Sequence, residues 1–164
     1  MKKIKYILLL LTCLFLTGCE NYDLDYNTIN CSLDKPSYRT DENIVLSCEG
    51  CFAENNFQGY LAIELDIYKY KSVNGKIVKD LVPIKVEDCG NLENKSGSDD
   101  YFWTYILENA DFKEVNEKIT LNISDYEAGE YELHVILESY VNQTIFAPFP
   151  QTKDFSLKFL VTKE

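Results

Sequence analysis

Hydrophobic and polar residues alternate along most of the chain after residue 28, with the period of two that half-buried β-strands require. Ile29, Cys31 and Leu33 share one face of a first predicted strand. Further runs carry apolar residues on one face at 44–48, 61–67, 119–123, 131–137 and 155–161. No long segment has the 3.6-residue period of an amphipathic helix. The pattern predicts about seven to eight strands, which is typical of an antiparallel sandwich or barrel.

Turn residues separate these strands. Asn74-Gly75 between two extended runs predicts a tight hairpin, because both central positions of such a turn need positive φ. The returning strand is predicted to run from about Lys76 to Val86, and Pro83 places it or its end at a sheet edge. Loops are predicted at 49–58, 88–100 and 139–152, and the segment 109–116 is either a helical turn or a loop.

Two short motifs favour a sandwich of the immunoglobulin-like type. Ala128-Gly129-Glu130-Tyr131, at the start of a late strand, resembles the tyrosine corner of that class, in which the hydroxyl bonds to backbone just upstream. Lys35, Tyr38 and Glu42 resemble the Lys-x-x-Tyr-x-x-x-Glu beginning of bacterial immunoglobulin-like modules. The resemblance implies one antiparallel β-sandwich domain over 28–164.

The first 19 residues have the layout of an export signal. The basic start with Lys2, Lys3 and Lys5 precedes an apolar run of 6–18, which is shorter than the roughly 20 residues of a spanning helix. Leu16-Thr17-Gly18-Cys19 resembles the lipobox of bacterial lipoproteins. The resemblance implies that 1–18 is a removed signal peptide, that Cys19 carries lipid including an acyl group such as palmitate, and that 19–27 is a tether. It also implies a cell-envelope location, at the outer membrane or cell surface rather than the inner membrane.

The charge of the chain narrows the class of partner. Residues 1–18 hold three of the 16 basic residues and none of the 27 acidic ones, so the mature chain has a formal charge of about −14. Such a chain lacks the basic patch that phosphate contacts need, which excludes nucleic acid as a partner. It is also repelled by anionic headgroups, so the lipid has to supply the membrane attachment.

Four cysteines remain in the predicted domain: Cys31, Cys48, Cys51 and Cys89. An even number in an exported domain predicts two disulfides, with three possible connectivities. If the first two long strands pair so that opposed residue numbers sum to about 77, Cys31 comes close to Cys48 on one face. That register favours Cys31–Cys48 and Cys51–Cys89. Zinc bound by the four cysteines and a redox Cys48-x-x-Cys51 are the alternatives.

Other candidate chemistry is sparse. His134, the only histidine, is predicted on the strand face opposite Leu133, away from an evident nucleophile and acid. Acidic residues are abundant, so a paired-carboxylate hydrolase has no specific signature. Asp99 and Asp100 with Glu93 or Asn94 lack the ordered spacing of a calcium loop. The sequence therefore predicts no enzyme, no cofactor and no metal site.

The segment that joins the last two strands is rich in aromatic residues and proline. Tyr140, Phe146 and Phe149 are candidate partner contacts, because loops at a sandwich end are where such modules bind. The alternative is that Phe146 and Phe149 close the end of the core. The sequence favours a monomeric, lipid-anchored binding or adhesion module for a protein or glycan. A periplasmic accessory subunit or inhibitor is the first alternative, and a hydrolase with a triad or carboxylate pair in a pocket is the second.

Overall fold

Two β-sheets packed face to face make up the fold. A computed structural model describes residues 29–50, 59–94, 100–107, 115–141 and 151–163. The strands are β1 (Asn30–Leu33), β2 (Ser37–Arg39), β3 (Asn43–Gly50), β4 (Gly59–Val73), β5 (Lys76–Val82), β6 (Lys85–Asp88), β7 (Glu93–Asn94), β8 (Trp103–Leu107), β9 (Val115–Asn122), β10 (Gly129–Val141) and β11 (Gln151–Thr162). This part of the chain contains no helix long and apolar enough to cross a membrane.

The strand order is that of an immunoglobulin-like sandwich, as the sequence predicts. The smaller sheet has the order β1-β3-β9-β6. The larger sheet has the order β2-β11-β10-β4-β8-β7, and β5 also pairs with β4. All pairings are antiparallel except that of β2 with β11. The first two short strands therefore belong to different sheets, which ties the beginning of the domain to both layers.

The core lies between the inner faces of the two sheets, where the alternating apolar residues meet. These positions are almost fully buried, and burying such side chains is the main stabilising contribution to a fold of this kind. They include Ile44, Leu46, Ile63, Leu65, Ile67, Ile119, Leu121, Leu133, Val135 and Val161. The inner-face assignments from the sequence period are confirmed on β3, β4, β9 and β10.

Both local motifs form the contacts that the resemblance implies. The Tyr131 hydroxyl donates to the Glu127 carbonyl at 2.7 Å, which is the bond of a tyrosine corner. At the other end, the buried Tyr38 hydroxyl donates to Asp34 Oδ1 at 2.7 Å. Lys35 Nζ lies 3.0 Å from Glu42 Oε1, so the first motif closes on itself. The two motifs fix the entry into β2 and the turn before β10.

Several sequence-based boundaries are wrong. The described residues hold eleven strands rather than seven or eight, because β2 and the two-residue β7 carry too little alternation to detect. The predicted strand 76–86 divides at Pro83, which lacks an N–H to continue a ladder. β5 joins the larger sheet and β6 the smaller one. Strands β10 and β11 also extend into the segment 139–152, up to Val141 and from Gln151.

The register of the first strand pair also differs from the expectation. Cys31 lies directly opposite Cys48 instead of opposite Leu46. The segment between β1 and β3 is not a simple hairpin turn, because it contains β2 and its pairing with the other sheet. Hairpin geometry therefore does not set the register, and the two cysteines come closer than predicted.

Candidate functional site

Strand β4 runs beyond the sheet that contains its first half. Strand β10 pairs with β4 from Gly59 to Lys69, whereas β5 pairs with it from Ile67 to Val73. The last residues of β4 therefore have β5 as their only strand neighbour among the described residues. The end of the β4–β5 hairpin projects from the sandwich as a two-stranded ribbon.

The turn at the end of this hairpin has the predicted geometry. Asn74 has φ of 51° and Gly75 has φ of 75°. Two successive positive φ values are those of a type I′ turn, whose twist matches that of the strands on either side. The Asn-Gly pair therefore fixes the register in which Val73 pairs with Lys76.

Large hydrophobic side chains are exposed mainly on this hairpin. Within the described part of the chain, six such residues are exposed, and four belong to β4 or β5: Val73, Ile77, Val78 and Leu81. Ile77 is the most exposed of them, at 77%. Apolar side chains that cluster on a projecting element are typical of interaction sites.

One side of the ribbon combines apolar, aromatic and basic groups. Opposed residues of an antiparallel pair share a face, and Tyr68 lies opposite Leu81, as Tyr70 lies opposite Lys79. Ile77 lies on the same face, further toward the turn. We refer to Tyr68, Tyr70, Ile77, Lys79 and Leu81 as the hairpin surface. It continues the outer, solvent-facing side of the larger sheet.

A buried carboxylate holds the hairpin surface against β10. Glu132 points to the outer face, yet it is only 4% exposed. It accepts hydrogen bonds from the Tyr70 hydroxyl and from Lys79 Nζ, the latter at 2.7 Å. Lys79 Nζ also lies 5.4 Å from the centre of the Tyr70 ring, and Lys158 Nζ lies 5.6 Å from it. These contacts fix the side chains before a partner arrives, which lowers the entropy lost on binding.

The electrostatics of this cluster follow from its hydrogen bonds. Burial opposes the ionisation of Glu132, but the bonds from Lys79 and Tyr70 outweigh it and lower its pKa. The same bond from Lys79 to Glu132 raises the pKa of that lysine. Both groups are therefore charged at neutral pH, and Lys79 keeps its remaining ammonium hydrogens for a ligand.

The outward edge of β5 offers unpaired backbone groups. In an antiparallel ladder, residues alternate between those bonded to the neighbouring strand and those directed away from it. A two-residue turn makes Val73–Lys76 a bonded pair, so Ile77, Lys79 and Leu81 direct their N–H and C=O groups outward. β5 has no partner on that side among the described residues. The edge is therefore open to the addition of another strand.

The only histidine lies in a row of residue types that recurs in hydrolases. His134 is opposite Ser156 on one side and opposite Asp66 on the other. Its Nδ1 atom lies 3.2 Å from Asp66 Oδ1. No hydrogen bond joins Ser156 to His134 within the described residues, and the row lies on an open sheet face. A nucleophile needs such a bond and a site that shields the reacting group, so the row does not support a hydrolase.

Two of the predicted disulfide cysteines meet in the core. Cys31 Sγ and Cys48 Sγ lie 3.0 Å apart, both almost fully buried. A disulfide is shorter, at about 2.0 Å, so the structure holds them as thiols. The hydrogen bond with Cys31, together with burial, raises the pKa of the Cys48 thiol well above its ordinary range. A redox nucleophile needs the opposite shift. The disulfide itself stays a prediction.

The remaining predicted site residues are less informative. Cys89 is half-buried, and its Sγ lies 3.4 Å from the Leu92 carbonyl oxygen. Tyr140 pairs with Tyr60 through its backbone, but its side chain lies outside the description. Cys19, Cys51, Phe146 and Phe149 lie outside the described residues, as do Asp99 and the predicted tether. The described ranges contain no group of three or more His, Cys, Asp or Glu side chains placed to hold a metal ion.

Solved structures share this fold at low sequence identity. No protein family matches the chain, and no curated protein matches it. Self-complemented MyfA, the major subunit of Myf fimbriae from Yersinia enterocolitica, matches 84% of this chain and 99% of its own, with 15% identity and a TM-score of 0.50. The collagen-binding subdomain of the Enterococcus faecalis surface protein ACE matches 83% and 98%, with 8% identity and a TM-score of 0.45.

A type I cohesin from Pseudobacteroides cellulosolvens, the seventh of ScaB, is also similar. It matches 84% of this chain and 92% of its own, with 13% identity and a TM-score of 0.40. Likeness at these identities concerns the fold alone. Together with the strand order, it confirms the predicted all-β, immunoglobulin-like sandwich.

Proposed function

We propose that this protein is a non-catalytic binding module of the bacterial cell envelope, and that the hairpin surface engages a protein partner. The observation that carries the proposal is the projecting β4–β5 hairpin, with its exposed apolar side chains and open edge. A ribbon whose free edge has no partner in the fold is poorly suited to a purely structural role. The likeness to MyfA supports the fold, and the role rests on this surface.

The partner is inferred to contribute an extended strand. Strand addition uses backbone hydrogen bonds for affinity and alternate side chains for specificity. Ile77, Lys79 and Leu81 supply both, because their backbone groups point outward and their side chains share one exposed face. Basic side chains gather here in an acidic chain, with Lys76 and Lys79 on β5 and Lys158 close to Tyr70. A strand with apolar and acidic side chains fits this surface in shape and charge.

Site-specific photo-cross-linking in intact cells tests the proposal. A cross-linking residue at Ile77 is expected to capture a defined protein. The same residue at Lys118, on β9 of the smaller sheet, is the matched control and is expected to capture little. Ile77→Pro removes one outward N–H without breaking a bond to β4, and it is expected to reduce capture from a cross-linker placed at Leu81. Equal capture at Ile77 and Lys118, or capture unaffected by the proline, would contradict the proposal.

The membrane attachment is a second part of the proposal. Support comes from Leu16-Thr17-Gly18-Cys19 directly after a short apolar run. Cys19 is proposed to carry the lipid, since acyl chains contribute about 0.8 kcal/mol for each buried CH₂. Cells grown with labelled fatty acid are expected to label the wild-type chain and not Cys19→Ala. Persistent label in that variant would show that the lipid is elsewhere.

The side of the envelope on which the domain lies decides between adhesion and a periplasmic accessory role. Protease treatment of intact cells is expected to cleave a surface-exposed domain. Protection until the envelope is opened would favour the accessory subunit or inhibitor. The hairpin cross-link then identifies the envelope protein that it serves.

A further inference from the structure

A cleft of about 390 Å³ lies at the end of the sandwich next to the tyrosine corner. It is formed by the inner side of the hairpin, the crossover from β5 to β6, and the turn between β9 and β10. Its volume is within the range of about 300–1,000 Å³ that small-molecule sites occupy. The hairpin surface lies on the opposite face of β4, so this corner cleft is a separate site.

Lysines line the corner cleft because β4 outruns the core. The inner face of β4 carries Leu61, Ile63, Leu65 and Ile67 and then changes to Lys69 and Lys71. With Lys85, the cleft has three lysines against two carboxylates, Asp125 and Glu127. In a chain with 16 basic and 27 acidic residues, this is a local reversal of charge. An anionic group is therefore favoured at this position.

The lysines are already bonded, but to carboxylates that stay accessible. Lys69 Nζ lies 2.5 Å from Glu127 Oε2, and only 12% of that lysine side chain is exposed against 81% of the glutamate. Lys85 pairs with Asp125, and both side chains are more than half exposed. Each ammonium group has two further hydrogens to donate. The carboxylates retain oxygens that only a donor can satisfy, so the cleft presents donors and acceptors side by side.

An aromatic ring and a proline supply the apolar part of the cleft. Tyr126 stacks on Tyr131 with ring centres 5.0 Å apart and planes 18° from parallel. Its hydroxyl donates to the Pro83 carbonyl at 2.7 Å, which fixes the ring beside the crossover. Tyr126, Pro83 and Val82 all line the cleft. A fixed aromatic side chain suits the C–H face of a flat, polar ring.

From these features we infer that the corner cleft binds an acidic saccharide, a sugar ring that carries a carboxylate. The ligand carboxylate takes the spare hydrogens of Lys85 and Lys69, and the sugar hydroxyls donate to Asp125 and Glu127. The ring lies against Tyr126 and Pro83. A simple carboxylate would leave the two acidic side chains without donors, and a neutral sugar would leave the lysines without an anion.

Titration of the full-length chain in detergent, followed by amide chemical shifts, tests this inference. The probes are α-1,4-linked digalacturonate, the corresponding neutral digalactose, and glutarate. Digalacturonate is expected to shift amides at 82–85 and 122–127. Its affinity is expected to exceed those of the two other probes by about tenfold, the effect of one charge-assisted hydrogen bond. Raised salt should narrow the difference from digalactose, because screening weakens contacts to exposed lysines.

Two lysine variants separate this cleft from general charge effects. Lys85→Met is expected to weaken digalacturonate binding by about tenfold, and Lys118→Met, on β9 outside the cleft, should leave it unchanged. Glutarate binding as tight as that of digalacturonate would assign the cleft to carboxylates in general and overturn the inference. Equal affinity for digalactose, shifts elsewhere in the protein, or equal effects of the two variants would also overturn it. The hairpin cross-link is read separately, so either proposal can fail alone.

Discussion

At the scale of single residues, Glu132 shows how a position on a solvent-facing sheet surface becomes buried. Its strand period places it outward, and the tyrosine and lysine side chains of the hairpin then cover it. Sequence could not predict this, because its partners lie 62 and 53 residues away along the chain. The tyrosine corner was predictable, because Tyr131 bonds to a carbonyl only four residues upstream.

Glu132 is expected to make docking of the hairpin sensitive to acid. Its pKa lies below the ordinary 4.5, so its contribution to stability is complete above that pH and is lost as pH falls through the lowered value. Glu132→Gln should cost about 1 kcal/mol of local stability at pH 7, since Lys79 is half exposed and screened. Hydrogen exchange of the β5 amides measures it in both variants.

The difference between wild type and Glu132→Gln isolates this one carboxylate. Other groups, including Glu127, also have a lowered pKa and contribute to acid sensitivity in both proteins. The difference should be constant near neutral pH and shrink below about pH 4.5. A difference that grows in acid would mean that Glu132 is not stabilised as the anion.

At the scale of elements, strong local signals identified strands and turns well, and crossovers poorly. The Asn74-Gly75 turn, the long β4 and the edge position of β5 follow from residue type and period. The division at Pro83 depends on contacts from distant segments, since Ile84 donates its N–H to the Asp100 carbonyl and Trp103 donates to that of Ile84. The hairpin surface was missed, although Ile77 and Val78 put apolar side chains on both faces of one edge strand.

Gly75 is expected to matter through its backbone alone. A Cβ at this position meets no atom within 4 Å, and φ is +75°. Gly75→Ala should therefore lower the local stability of the hairpin by about 1 kcal/mol through backbone strain without any clash. Gly75→Asn should cost less, because asparagine tolerates this region. Hydrogen exchange at 76–80 measures both, and equal costs would show that the turn does not depend on positive φ.

At the scale of the whole molecule, the composition and the strand pattern were enough to predict the sandwich but not its sites. The cleft and the hairpin surface both arise because β4 is longer than the sheet that covers it. That length shows in the sequence as an alternating run, but the point where neighbours end does not. The cysteine pair lies between these cases, because its proximity was predicted and its register was not.

Closure of Cys31 and Cys48 into a disulfide is expected to stabilise the whole domain. The two are 17 residues apart, and a loop of that order gives roughly 3 kcal/mol of unfolding free energy. The raised pKa of Cys48 makes its thiolate scarce at neutral pH, so spontaneous oxidation should be slow and export-linked oxidation necessary.

Peptide mapping of unreduced exported protein checks this closure, and urea unfolding with and without reductant gives its energy. Cys89→Ser is the control that leaves the pair intact. Alkylation of both Cys31 and Cys48 in fully exported protein would show that the pair stays reduced.

The pairing of β4 with β10 has a mechanical consequence. A partner bound at the hairpin would pull along the axis of β4, which pairs with β10 over eleven residue pairs. The hydrogen bonds of that ladder are perpendicular to such a load. They therefore share the force and resist it together, instead of opening one after another. The strand that presents the hairpin is thus also the one best placed to carry tension into the body of the sandwich.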